Sequence, residues 1–503
     1  MKKNILKSLL IVTIIAVTIF TSCRKLDETV YSSIFTSNYY KTAGDAEAAL
    51  AATYASLLGL YNGPPAVLAS DLSADQAYPR PVVGRNTLTL FSYDPEYSIQ
   101  KSFSRADFEG PRGIWMYAYK GIENANWVIE KVPAIEMPAV RRNEIVGEAL
   151  FLRAFYHFTL TRAFKDVIIK TSPSKTEADA IVAKSSQAQV FQQIFKDLDE
   201  AIPKLPAYSA AAVKGRATKE AAIALYAKSA LYAGNWALAK TKAIEIINTP
   251  SLFLMPNVLD VYNVDLEDVA RAENIFAFEG ENNTARDHYS WLGDLMGPPN
   301  SAGRDYNRES FGSLFAYQTF FDSFNPNDRR RLLLDTSYTN RNNVVVPQKN
   351  ITPITPQGVL IKKYIDKLSN GPRSRSNVPI LRVADIYLIA AEAEFRLNGT
   401  TAVALEYINK VRRRAFGQLL NAPSIYDLTT LSESIILQER SWELCFEGDR
   451  WYDLTRTNTF LTAVPLAVNN VYPVRTPAPK HRYFPIPQDE IRANPKIVQS
   501  PGW

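Results

Sequence analysis

The sequence predicts a mainly α fold in which antiparallel helix pairs build a scaffold and long irregular insertions hang from it. Three observations lead there. Apolar residues recur at helical spacing in segments spread along the whole chain. Several of these segments are rich in Ala and Tyr and are joined by Gly-Asn or Asn-Gly turns, the composition of closely packed helical hairpins. Two stretches, 61–113 and 250–379, are instead rich in Pro, Gly, Asn, Asp and Tyr and carry no helical period.

Taken in order, Gly44 to Leu60 reads as an Ala-rich helix with Asp45 and Glu47 in its first turn, where carboxylates favour the helix dipole. Ile114 to Lys131 follows, with Trp115, Ile122, Ala125 and Ile129 on one stripe, and then Arg141 to Phe164, Ser186 to Ile202, Thr218 to Ala233 and Trp236 to Asn248. Beyond the second insertion come Val383 to Leu397, Thr401 to Phe416 and Leu431 to Arg456. The clearest hairpin is Ala217 to Asn248, turning at Gly234-Asn235, and a second is Ala384 to Arg414, turning at Asn398-Gly399; both are tetratricopeptide-like. Looser hairpins are expected between 44–60 and 114–131, and between 141–164 and 186–202. Inside the insertions Thr87–Phe91, Ile275–Phe278 and Val359–Tyr364 read as short β runs. Loops this long on a rigid frame mark a binding face.

At 503 residues, 46% hydrophobic and 11% aromatic with 26 Tyr, the chain is globular rather than disordered. Of the net charge of +6, three units are Lys2, Lys3 and Lys7, so what remains gives no reason to expect nucleic acid. Arg329–Arg331 and Arg412–Arg414 read as solvated or ion-pairing faces. The first 22 residues have a basic start, an apolar run from Leu9 to Phe20, and Thr21-Ser22 before Cys23. That run is too short to span a bilayer, for which about 20 residues are needed, and fits a secretory signal. Small residues before a cysteine resemble a bacterial lipobox, with Phe20 where Leu is usual, so Cys23 is expected to be lipidated and to anchor the chain to a membrane. With Cys445 as the remaining cysteine, the mature chain has no disulfide framework, and Cys445 reads as a small buried hydrophobe.

Catalytic and metal motifs are missing. His157, His288 and His481 are far apart and in no metal-ligand spacing, and there is no phosphate loop or nucleophile elbow. The chain is therefore expected to be no enzyme, with no metal and no cofactor. Its densest acids lie in Gln438 to Arg456, Q-E-R-S-W-E-L-C-F-E-G-D-R-W-Y-D-L-T-R. That stretch reads as one core helix apolar on two sides, whose acids and arginines are paired because buried charge is otherwise too costly. Gly448 would let another backbone come close. What remains is passive recognition, in which aromatic rings meet the flat faces of sugars while polar side chains meet the hydroxyls. The candidates are Asp75, Tyr78, Arg80 and Tyr93, with Tyr97 beside them, in the first insertion. The second offers Tyr289, Trp291 and Tyr306, of which Trp291 is the preferred platform. Trp115, Trp127, Trp236, Trp442 and Trp451 fall on helix faces and are expected in the core.

The stretch E-R-S-W-E-L-C-F-E-G-D-R-W-Y-D-L-T-R with the tail Phe484-Pro-Ile-Pro-Gln-Asp-Glu-Ile-Arg-Ala-Asn-Pro resembles the C-terminal region of the SusD/RagB family. Trp115 to Asn126, Glu148 to Phe158, Asp328-Arg329, Lys363-Tyr364 and Leu381 to Ala393 are similar to further landmarks of that family. The resemblance implies a leader at 1–22, an N-terminal helical region at 23–249 and a C-terminal region at 250–503 that carries the insertion 250–379. It implies an outer-membrane, lipid-anchored protein facing the cell exterior, which takes up a nutrient for a SusC-like TonB-dependent transporter. The expected ligand is an oligosaccharide. A peptide ligand of RagB type, a scaffold that binds only protein, and a surface hydrolase stay open. The shared motifs belong to the scaffold, so no binding residue carries over by position.

Overall fold

The computed structural model describes residues 39–81, 84–96, 110–209, 213–285, 288–347 and 358–503. The expected leader, Cys23 and Tyr97 lie outside them. The long helices are α1 (Ala43–Tyr61), α2 (Pro111–Lys131), α3 (Ala139–Phe164), α4 (Gln187–Ala201), α5 (Lys219–Tyr232) and α6 (Trp236–Ile247), then α7 (Val383–Asn398), α8 (Ala402–Ala415), α9 (Glu433–Glu443) and α10 (Arg450–Arg456). Their starts are set locally. The side chains of Thr42, Ser186, Thr218, Asn235, Thr401 and Ser432 each accept a first-turn amide N–H that no helical carbonyl can reach.

Neighbours in sequence pack as neighbours in space from α1 through α6, and α7 packs on α8. The row is continuous because α6 also packs on α7, although the whole second insertion separates them. The expected hairpins, 217–248 and 384–414 included, are all present: the mainly α, tetratricopeptide-like scaffold stands. The second insertion is closed at its base by an antiparallel pair, β2 (Asn274–Phe278) with β4 (Val378–Arg382), which runs straight into α7. The two insertions meet in another pair, β1 (Ala77–Pro79) with β3 (Leu314–Ala316), where Tyr78 faces Phe315 across the ladder.

Three local expectations need correction. Residues 87–91 are not β: a short helix spans Arg85–Leu90 and ends at Phe91, whose φ is +56°. The Thr87 hydroxyl donates to Gly84 O at 2.6 Å and that of Thr89 to Leu72 O at 2.9 Å, contacts that outweigh the β preference of the threonines. Gln438 to Arg456 is likewise two helices, α9 and α10, parted by a turn in which Phe446 and Gly448 take φ of +61° and +83°. Of the tryptophans, Trp115 and Trp451 are core, whereas Trp127, Trp236 and Trp442 are half-buried. Trp442 lies under the Arg330 guanidinium and gives its indole N–H to Ser323 Oγ at 3.0 Å, which keeps it at the surface.

The α9–α10 turn is where the ions gather. Glu443 takes N–H groups from Arg330 (3.2 Å), Arg382 (3.1 Å) and Arg414 (2.5 Å). Glu447 takes Lys363 at 2.6 Å and Arg382 at 2.9 Å, and Glu439 takes Arg330 and Arg412. Arg440 bridges Asp385 and Asp453, while Asp449 receives Arg162 from α3 and Lys228 from α5. The dense acids are thus structural partners. They tie the turn to the helical row, to β4 and to the second insertion, and the basic runs at 329–331 and 412–414 supply much of the pairing. Cys445 is buried among them, its thiol pushed up to about 11 by that burial.

Gly448 is the close approach that its place in the sequence implied. A Cβ there would sit 2.8 Å from Ala66 O and 3.0 Å from Val67 Cα, both backbone atoms of the helix Pro65–Asp71. Left-handed φ adds about 1–2 kcal/mol for any residue with a Cβ. Gly448→Ala is expected to cost about 3 kcal/mol in urea unfolding; a loss below about 1 kcal/mol would show that this contact is soft.

Candidate ligand-binding surface

The sequence candidates do not form one site. Trp291 and Arg80 come together, and Phe311, which the sequence reading missed, completes the group. Trp291 leads into the short helix Leu292–Met296, and its backbone N–H donates to Asn62 O at 3.0 Å, just past the end of α1. Asn62 reinforces this from its side chain, donating to Tyr289 O at 2.6 Å. Residues 311–313 then run beside that helix: Phe311 N–H donates to Asp294 O at 2.7 Å and Ser313 N–H to Leu295 O at 2.8 Å. The Trp291 and Phe311 rings consequently lie 6.1 Å apart at 42°, and both are half-buried.

Arg80 arrives from the other insertion. Its backbone N–H donates to Ser313 O at 2.8 Å, extending the β1–β3 pairing, and its guanidinium donates to Phe311 O at 3.3 Å. The result is two partly exposed aromatic rings with a half-buried guanidinium beside them. The bed beneath is stiff. A Cβ on Gly293 would lie 2.2 Å from Tyr364 O and 2.5 Å from Asn307 Nδ2, so the helix is seated directly on backbone. Asn307 in turn donates to Asp294 and accepts the N–H of Asp366. Burial pushes the Asp294 carboxyl up to about 8, against the Asn307 hydrogen bond, so it is mostly protonated at neutral pH.

The other candidates are occupied elsewhere. Asp75 holds Arg450 through two bonds of 2.8 and 2.7 Å. Tyr78 is fully buried on β1, with Tyr317 at 4.7 Å and Tyr472 at 6.0 Å. Tyr93 is buried against His481, Phe484 and the terminal Trp503. Tyr306 packs in the turn around Gly297 and Gly303, and Tyr289 lies beneath the Arg373 guanidinium. Rings with no open face have nothing to offer a ligand. Phe311 did carry a signal: it is an aromatic followed by glycine in an otherwise polar run, Arg308-Glu-Ser-Phe-Gly312.

His157, buried in α3, is lowered to about 3 by burial and then by Arg153, so it stays neutral. Among the described residues no group of three His, Cys, Asp or Glu side chains is placed to hold a metal, and no helix is long and apolar enough to cross a membrane.

An α-helical repeat frame carrying two long insertions defines the class of fold, and comparison with known sequences gives the family. A family model described as "SusD family" matches residues 316–503, and one described as "Starch-binding associating with outer membrane" matches residues 36–231. The chain belongs to the SusD/RagB family. It is 28% identical over 425 residues to SusD-like protein P25 of Formosa agariphila, covering 77% of this chain and 78% of that one. It is 25% identical to SusD-like protein P2 of the same organism, over 99% of this chain and all of the relative. Among solved structures, a laminarin-binding SusD-like protein aligns with TM-score 0.75 and 24% identity, covering 92% of this chain and 100% of that one. Surface glycan-binding protein A of Bacteroides thetaiotaomicron, in complex with laminarihexaose, aligns with TM-score 0.73 and 22% identity over 91% and 99% of the two chains. At these identities the structures establish the fold alone.

Proposed function

We propose that this protein binds an oligosaccharide at the surface formed by Trp291, Phe311 and Arg80, without chemical change, and passes it to a SusC-like TonB-dependent transporter. On this reading Cys23 carries the lipid that holds the chain to the outer membrane, facing the cell exterior. The observation that carries it is the Trp291–Phe311 pair, half-exposed at 6.1 Å and 42° on a bed that fixes both rings. Sugar rings stack on such surfaces through their C–H faces, and a guanidinium at the edge meets the hydroxyls. The names of the relatives support a glycan over a peptide, and the ion pairing of the dense acids at the α9–α10 turn supports binding over hydrolysis.

Affinity electrophoresis through gels containing laminarin, starch or other polysaccharides tests the reading. At least one glycan is expected to retard the wild type, with Trp291→Ala weakening the interaction more than about tenfold, roughly 1.4 kcal/mol. Unchanged retardation in Trp291→Ala would remove this surface. Retention by peptides alone would favour the RagB-type alternative, and new reducing ends in the polymer would favour a hydrolase.

A further inference from the structure

A second cleft, of about 510 Å³, lies between the outer face of α1, the segment 214–216, and the chain leaving β2. That volume is within the range of small-molecule sites, about 300–1,000 Å³. It is separate from the Trp291 surface: Trp291, Phe311 and Arg80 do not line it. One wall is flat. The His288 ring stacks on Phe278 at 4.7 Å and 25°, with His288 half-buried and Phe278 buried behind it. Apolar side chains of α1, Ala51, Ala55 and Leu58, add a non-polar surface.

The polar side of the cleft is unlike the ion network of the core. Glu267 and Glu279 both line it, and both are held by Asn377, whose backbone N–H donates to Glu267 at 2.7 Å and whose side chain donates to Glu279 at 2.8 Å. Neither carboxylate makes an ion pair among the described residues. The cations nearby are engaged: Lys214 with Asp268, Arg216 with Glu47 and Glu148, and Arg375 with Asp366 and Asp265. Every acid of the α9–α10 turn has its cation, whereas this pair is fixed, partly desolvated and facing open space.

We propose that this cleft binds a small sugar bearing a protonated amine, with its ring against His288 and its ammonium group between Glu267 and Glu279. A neutral sugar brings the two carboxyls no charge of its own; an ammonium adds one to the partial fields of Arg375 on Glu267 and of Arg271 and Lys214 on Glu279, together with three hydrogen-bond donors. The protonation state agrees. Burial pushes Glu267 up to about 8, with Glu279 and Asp366 adding to the shift and the Asn377 N–H and Arg375 opposing it. Burial raises Glu279 too, against Arg271, Asn377 and Lys214 and with Asp268 adding. An arriving ammonium therefore favours ionisation of Glu267 and release of its proton.

Titration calorimetry on the full-length chain at pH 7 compares two probes of one shape: the β-1,4-linked glucosamine disaccharide, and cellobiose, which has hydroxyls in place of the amines. The amino disaccharide is expected to bind at least tenfold more tightly. Its apparent heat is expected to differ between two buffers of different protonation heat, registering proton release. The double variant Glu267→Gln, Glu279→Gln, its melting temperature checked against wild type, is expected to lose both the preference and the proton release. Trp291→Ala is expected to keep them, which separates this site from the glycan surface. Equal affinity for the two probes, no binding of the amino disaccharide, or a preference that survives in the double variant would overturn the proposal.

Discussion

Glu443→Ala is expected to destabilise the protein by about 3–5 kcal/mol in equilibrium urea unfolding, the usual cost of removing one partner from a buried ion pair. Three guanidinium groups, from Arg330, Arg382 and Arg414, converge on this one carboxylate, and all four side chains are essentially excluded from solvent. Those arginines come from three separate parts of the chain, so removing the shared acid loosens the seams among the insertion, β4 and α8 at once. Each keeps another carboxylate: Arg330 has Asp328 and Glu439, Arg382 has Glu273 and Glu447, and Arg414 has Glu273. The variant should therefore fold while losing stability. Burial alone would raise the Glu443 carboxyl, but Arg414, Arg382 and Arg330 together hold it well below its ordinary value of 4.5. The stabilisation it provides is accordingly complete above about pH 4.5 and is lost as pH falls below that. A loss under about 1 kcal/mol for Glu443→Ala would mean that the remaining acids compensate for its charge.

Asp294→Asn is expected to act in the opposite direction and to grow with pH. The wild-type carboxyl stays protonated in the folded chain up to about 8, against an ordinary 3.8, because burial dominates and Glu309 and Asp366 add to it. Between those values the unfolded chain has released this proton and the folded chain has not, so folding stability falls as pH rises, by up to about 1.4 kcal/mol per unit. Asparagine has no proton to lose and can still accept the 2.9 Å bond from Asn307 Nδ2. Among the described residues the second Asp294 oxygen has no hydrogen-bond partner, so the exchange forfeits no other contact. Variant and wild type are expected to match near pH 4, with the variant ahead by more than about 2 kcal/mol at pH 8. Parallel stability–pH curves would show that Asp294 is already ionised.

The helical frame was legible because its determinants are local. Thr218 caps α5, Asn235 caps α6, and alanines between them let the two helices close on each other; all of that lies within thirty-odd residues, as a hairpin of this repeat requires. The ion-rich stretch was half legible. That its charges would be paired followed from the cost of burying them alone, but the break between α9 and α10 did not, since the turn between them is held from a distance: Gly448 sits on the helix Pro65–Asp71, and the Tyr364 hydroxyl donates to Phe446 O.

The proposed binding surface was the least legible part. Asp75 and Tyr78 have the composition of ligand contacts, yet Asp75 is taken by Arg450, 375 positions away, and Tyr78 by the aromatic cluster around Tyr317. Phe311 becomes a partner for Trp291 only because β1 pairs with β3 and Arg80 reaches 231 positions along the chain to its carbonyl. Periodicity, capping and the cost of unpaired charge act over a few residues or on any buried ion, so the sequence by itself determined the helical repeat, the paired acids and the family. Which aromatic keeps a face open depends on what distant segments cover, and only the tertiary structure decided that.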